Sequence, residues 1–115
     1  MNEYRRKPRR NPDRTIDVQD VMTESLVGRI GNLSETGMLI QSSQPLVDDA
    51  LYQLRFALHA NDGSRHAIEV GAHHLWSEPA ATPGQSWIGF RFIDVSTDDA
   101  RRIGEWATAE GANVS

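Results

Sequence analysis

From Thr15 onward the chain alternates apolar and polar positions with a period of two, the spacing of half-buried strands rather than of helices. Tyr52, Leu54, Phe56 and Leu58 fall on one face of a segment, and Ile68, Val70 and Ala72 on one face of the next. The pattern predicts strands at about 15–23, 25–33, 37–42, 51–59, 66–77 and 86–94. Turn-forming stretches separate them: Ser34-Glu35-Thr36, Ser43-Gln44-Pro45, Asn61-Asp62-Gly63-Ser64, and Pro79 through Gly84. Only the last segment has a helical period. Ala100, Ile103, Trp106 and Ala107 make one apolar stripe, Ser96 or Thr97 can cap its start, and Asp98 and Asp99 suit its first turn. This places a helix at about 97–109, weakened by Gly104 by ~1 kcal/mol relative to Ala, so packing must hold it. The fold class is therefore all-β with one terminal helix: a six-stranded antiparallel β-barrel plus a C-terminal α-helix. Closure leaves no strand edge unpaired.

Burial of one face fixes the register of the hairpin between the fourth and fifth strands. An Asp62-Gly63 two-residue turn would put polar Arg55 opposite Val70 in the core. An odd loop centred on Gly63, with a bulge there, instead sets Leu58 against Ile68 and His59 against Ala67. In that register His59 and His66 lie on different faces, as do the neighbours His73 and His74. No three ligands converge, so no metal site is expected. The histidines read as surface or barrel-rim residues.

The chain has 115 residues, no cysteine and a net charge of −4. That length suits one domain with one core, and the lack of cysteine excludes disulfides and thiolate chemistry. No run approaches the ~20 apolar residues of a membrane span, and no apolar leader follows the basic start, so a soluble cytoplasmic domain is expected. Nothing resembles a nucleophile elbow, a paired-carboxylate cleft or a phosphate-cradling glycine loop, and no enzyme is expected. The charge is unevenly spread. Residues 1–14 hold six bases and two acids, while residues 15–115 hold six bases and fourteen acids. A basic arm with Pro8 and Pro12, flexible and unable to fold alone, thus precedes an acidic body at 15–115, and such an arm implies an anionic partner.

Two motifs give that partner a chemistry. Arg5-Arg6-Lys7-Pro8-Arg9-Arg10 contains R-x-x-x-R twice, as Arg5 with Arg9 and as Arg6 with Arg10. Asn32-Leu33-Ser34-Glu35-Thr36-Gly37 is an N-x-S-x-x-G turn between two strands. Met38-Leu39-Ile40 follows the turn, Trp76 sits late in the fifth strand, and Ile88-Gly89-Phe90-Arg91-Phe92 precedes the helix. Together, and in this order, these features resemble the PilZ domain family, bacterial receptors for cyclic di-GMP. The resemblance covers nearly the whole chain.

The resemblance implies that Arg5, Arg6, Arg9 and Arg10 clamp the ligand's phosphates and guanine edges while Asn32, Ser34 and Gly37 line the barrel side. Arginine suits both tasks, because its planar fork matches phosphate oxygens and the guanine O6/N7 edge and can stack on a purine. Asn32 is neutral and offers the base a donor and an acceptor. Gly37 either lets backbone approach the ligand or takes a positive φ. Trp76 continues the face of Ile68, Val70 and Ala72, so core packing and ligand stacking both remain open. Pro8 favours the Arg5/Arg9 register, with Arg10 as the competing second position. Gly89 is expected to relieve crowding in the barrel. The implied function is a cyclic di-GMP receptor that signals by ordering its arm and contacting an unidentified effector protein. The alternatives are a PilZ-like protein-interaction module that binds no nucleotide, or a nucleic-acid-binding module using the arm, against which the acidic body counts.

Overall fold

The computed structural model describes residues 7–109. Its elements are β1 (Arg9–Arg10), β2 (Asp17–Asp20), β3 (Ser25–Ser34), β4 (Gly37–Ser42), β5 (Leu51–His59), β6 (Arg65–Pro79), β7 (Ser86–Val95) and α1 (Thr97–Ala107). The strands run β1-β3-β2-β5-β6-β7-β4, and β4 pairs back onto β3, so six antiparallel strands close a barrel. The expected fold class holds. β1, inside the basic arm, adds to the end of β3 by pairing Arg9 with Ser34 and Arg10 with Leu33.

The inward positions form one core, from Val18, Leu33, Ile40, Leu54, Ile68 and Val70 to Phe90. Ile103, Trp106 and Ala107 of α1 are buried with them. The helix starts at Ser96, whose hydroxyl accepts from the Asp99 amide at 3.0 Å. Gly104 sits beneath the Glu35 side chain, where an added Cβ would lie 3.4 Å from Oε1, so the β3–β4 turn packs on α1 at its weakest residue.

Three expectations are corrected. The first strand is only Asp17–Asp20, because Val21 through Glu24 turn tightly into β3 with Glu24 at φ 58°. The β5–β6 register keeps the expected faces but slides by two residues: Phe56 pairs with Ile68, Leu58 with His66, and His59 with Arg65 rather than Ala67. The connection is the five-residue loop 60–64, closed by a 2.9 Å hydrogen bond from the Ala60 amide to the Ser64 carbonyl, and no bulge interrupts the ladder. Asp62 accepts from the Ser64 hydroxyl and amide in that loop, which holds its carboxyl below the ordinary range. His74 is neither surface nor rim. It continues the inward alternation of Ile68, Val70 and Ala72, is 1% exposed, and meets the Phe90 ring edge-on at 5.7 Å. Among the described residues no group of three ligands could hold a metal ion.

Candidate functional site

Of the sequence-predicted residues that the structure describes, Arg9, Asn32, Ser34 and Trp76 line one cleft on the barrel, while Arg10 turns away from it. Strict alternation from Ile30, which faces the core, would turn Asn32 inward. A bulge in β3 between Ile30 and Asn32 resets the alternation, so Asn32 pairs with outward Leu39 while Leu33 pairs with buried Met38. A second bulge does the same to Trp76. His74 pairs with Phe90 and Trp76 with Gly89, leaving Leu75 as the extra residue. Trp76 therefore leaves the inner face that its spacing predicted, and at 44% exposed it is not a core residue. Its indole lies over Gly89, where any Cβ would overlap Nε1. The absence of a side chain at Gly89 thus makes room for an aromatic platform rather than relieving the barrel interior.

The arm completes the cleft. In an extended strand neighbouring side chains point to opposite sides, and Arg9 and Arg10 follow that rule. Arg9 donates from Nη1 to Asn32 Oδ1 at 2.6 Å, joining the arm to the N-x-S-x-x-G turn. Arg10 turns the other way, stacks its guanidinium 4.2 Å from the centroid of Trp106 and donates to the Trp106 carbonyl at 3.0 Å. It is thus held by α1 rather than by the cleft. Arg5 and Arg6 lie outside the described residues.

Ser34 is buried and shapes the turn itself, accepting from the Thr36 amide and donating to the Gly37 carbonyl, each at 3.3 Å. Gly37 does not have positive φ. It is required because a Cβ there would overlap the Phe90 carbonyl of β7, so the close approach is strand to strand.

The result is an open cleft of about 430 Å³ whose lining includes Lys7, Arg9, Asn32, Ser34, Trp76 and Gly89. Its charged lining is cationic. Glu35, the nearest acid on the turn, is drawn off by Lys7 at 4.0 Å. The arrangement offers an anion a guanidinium and an ammonium, and offers a planar ring an indole beside an amide. Lys7 was missed as a lining residue. Period two within the arm was the available signal, since Lys7 and Arg9 share a parity.

The sequence profile of the PilZ domain matches residues 3–109. The chain belongs to the PilZ domain family. No curated protein matches it significantly. Among solved structures, the Bacillus subtilis inhibitor of motility MotI/DgrA superposes with a TM-score of 0.78 at 16% identity, over 98% of this chain and 53% of that one. Escherichia coli YcgR, solved in complex with c-di-GMP, gives 0.64 at 22% identity over 86% of this chain and 42% of its own. MrkH, described as a c-di-GMP-dependent transcription regulatory factor, gives 0.61 at 20% identity over 86% and 47%. At these identities the likeness is one of fold, and the chain spans about half the length of those proteins. No helix among the described residues of this PilZ chain is long and apolar enough to cross a membrane.

Proposed function

We propose that this PilZ chain is a receptor for cyclic di-GMP that acts through contact with an effector protein rather than by catalysis. The observation that carries the reading is the 2.6 Å contact between Arg9 and Asn32, which brings the arm motif and the turn motif, 23 residues apart in sequence, to one cleft. YcgR carries the same fold with c-di-GMP bound, which supports the choice of ligand. Arg9 with Pro8 before it favours the Arg5/Arg9 register, and Arg5 has the parity of Arg9. Arg10 is engaged by Trp106 and serves the fold. In this reading Arg9 takes a phosphate or a guanine edge, the Asn32 amide reads the base, and Trp76 stacks a purine. Three or four charge-assisted hydrogen bonds, each about 1.5–3 kcal/mol, support micromolar affinity after the cost of ordering the arm. A ligand bridging β1 to the turn would fix the arm on β3, and the surface so altered is what the effector sees.

Calorimetric titration of c-di-GMP into the wild type, Arg9→Ala and Trp76→Ala tests this. Each substitution should weaken binding at least about tenfold with little loss of stability. Absence of binding by the wild type at high micromolar ligand would overturn the reading.

A further inference from the structure

On the outer surface of β5, β6 and β7, away from the first cleft, three large apolar side chains stand together. Met22, Leu51 and Ile93 are 79%, 66% and 49% exposed and line one depression of about 330 Å³. A bulge in β7 places Ile93 there. Phe92 pairs with Ala72 and Asp94 with Gly71, so Ile93 is the extra residue. Phe92 and Val95 therefore both pack on the core, while Ile93 and Asp94 both stay outside. Met22 arrives on the β2–β3 turn, which is seated on β5 by a 2.9 Å hydrogen bond from the Val21 amide to the Gln53 carbonyl. The Asp20 carboxylate accepts from the Met22 amide at 2.8 Å and fixes that turn. Gly71 pairs with Gln53 on one side and Asp94 on the other, and a Cβ there would lie 3.0 Å from Asp94 Cβ, so its lack of a side chain keeps the middle of the depression open. Ile93 lies about 13 Å along β7 from Gly89 of the first cleft.

An exposed apolar cluster rimmed by polar groups marks a contact surface, and here its charge selects the occupant. Asp20 and Asp94 are the charged groups of the lining, and neither makes an ion pair among the described residues. Of the neighbouring bases, His73 is engaged by Asp49, and Arg91 stands across from His73, outside the lining. Two copies of this chain set face to face would bring these carboxylates together, so charge opposes self-pairing. We propose that this depression docks a protein partner through a segment of apolar side chains flanked by lysine or arginine. The proposal rests on the reading of the chain as a receptor that acts through an effector, and gives that contact a place and a chemistry. The partner's apolar side chains cover Met22, Leu51 and Ile93 while its cations meet Asp20 and Asp94.

The capped peptide Lys-Lys-Leu-Leu-Lys-Lys serves as the probe, read by the backbone amide resonances of the intact chain. It should shift Leu51, Gly71 and Ile93. The same peptide with Ser in place of Leu, or with Glu in place of Lys, should need at least about tenfold more to do so. Leu51→Gln and Ile93→Gln should each weaken the peptide by about fivefold or more and still unfold where the wild type does, because both side chains are exposed. Equal binding of the Ser peptide would mean attraction by charge alone and overturn the proposal, and equal binding of the Glu peptide would overturn the basic partner. No shift, shifts elsewhere on the surface, or unchanged affinity in both variants would overturn the docking surface. Shifts at the same residues on concentrating the chain alone, lost in Ile93→Gln, would make a second copy the occupant and overturn it as well. Calorimetry with c-di-GMP keeps the two readings apart, since Ile93→Gln should bind the nucleotide as the wild type does. A failed peptide titration beside intact nucleotide binding would remove the docking surface and leave the receptor reading. Peptide shifts at Leu51, Gly71 and Ile93 in a chain that binds no nucleotide would do the reverse.

Discussion

The β5–β6 ladder and the outer face of β3, β4 and β7 start from the same alternation and put it to different ends. From Leu51/His73 to His59/Arg65, nine residue pairs run without interruption, and every inward side chain of β5 from Leu54 on goes into the core. Where β3 faces β4 the alternation is shifted at Gly31, and in the far half of β6 at Leu75. Those two extra residues turn Asn32 and Trp76 outward to the same cleft, where Arg9 bonds Asn32. Regular pairing supplies the hydrophobic burial that holds the barrel, while the bulges re-aim side chains that a uniform ladder would have hidden. On the proposed reading, stability and recognition are divided between two parts of one sheet, and substitutions should affect them separately.

The largest effect belongs to the regular half. Leu54→Ala removes a fully buried core side chain, paired across the ladder with Val70, and should cost about 2–5 kcal/mol, read as a fall in the urea midpoint. At ligand concentrations that refold the variant, its affinity for c-di-GMP should match the wild type. A loss of affinity in the folded variant would break the division.

The bulged half should respond the other way round. In Gly89→Ala the new Cβ overlaps the Trp76 indole and the obstruction is a half-exposed side chain, not backbone, so Trp76 swings off its floor at little cost to the fold. Binding should weaken by about 1–2 kcal/mol, or roughly five- to thirtyfold, while the unfolding free energy changes by less than about 1 kcal/mol. If Gly89→Ala unfolds the domain instead, Trp76 is a structural residue and the two halves are not distinct.

The same contrast sets what was legible in the sequence. Strand positions, the helix with its Ser96 cap, closure of the barrel and the faces of β5 and β6 follow from the period, since burial selects one face and turns mark the ends. The β5–β6 register was displaced by two residues because a shift of two preserves every face. Only the hydrogen bonds of the loop 60–64 select between the alternatives, and these have no apolar signature. The bulges were illegible for a related reason. Leu75 is an ordinary strand residue, and nothing in Ile68, Val70, Ala72, His74 and Trp76 says that the alternation stops at His74. The motif residues Asn32, Ser34 and Gly37 were visible as a turn, but Gly37 serves a close approach to Phe90, a contact some fifty residues away that local reading cannot see.

The sharpest and smallest test sets Arg10 against its neighbour. Arg9 and Arg10 are chemically identical and adjacent, and β1 alone separates them by sending one to Asn32 and the other to Trp106. Arg10→Ala loses a guanidinium stacked on an indole and its hydrogen bond to a carbonyl at the end of α1. Because the side chain is partly exposed and also shared with Asp13, the net cost should be about 1 kcal/mol. Thermal denaturation should show that small loss, and Arg10→Lys should recover little of it, since an ammonium keeps the charge but not the stacking plane. Affinity for c-di-GMP should stay within about threefold of wild type, less than 1 kcal/mol, where Arg9→Ala loses at least about tenfold. If the two alanine variants instead lose binding equally, β1 does not sort the pair, and the arm holds its ligand in the Arg6/Arg10 register or by charge alone.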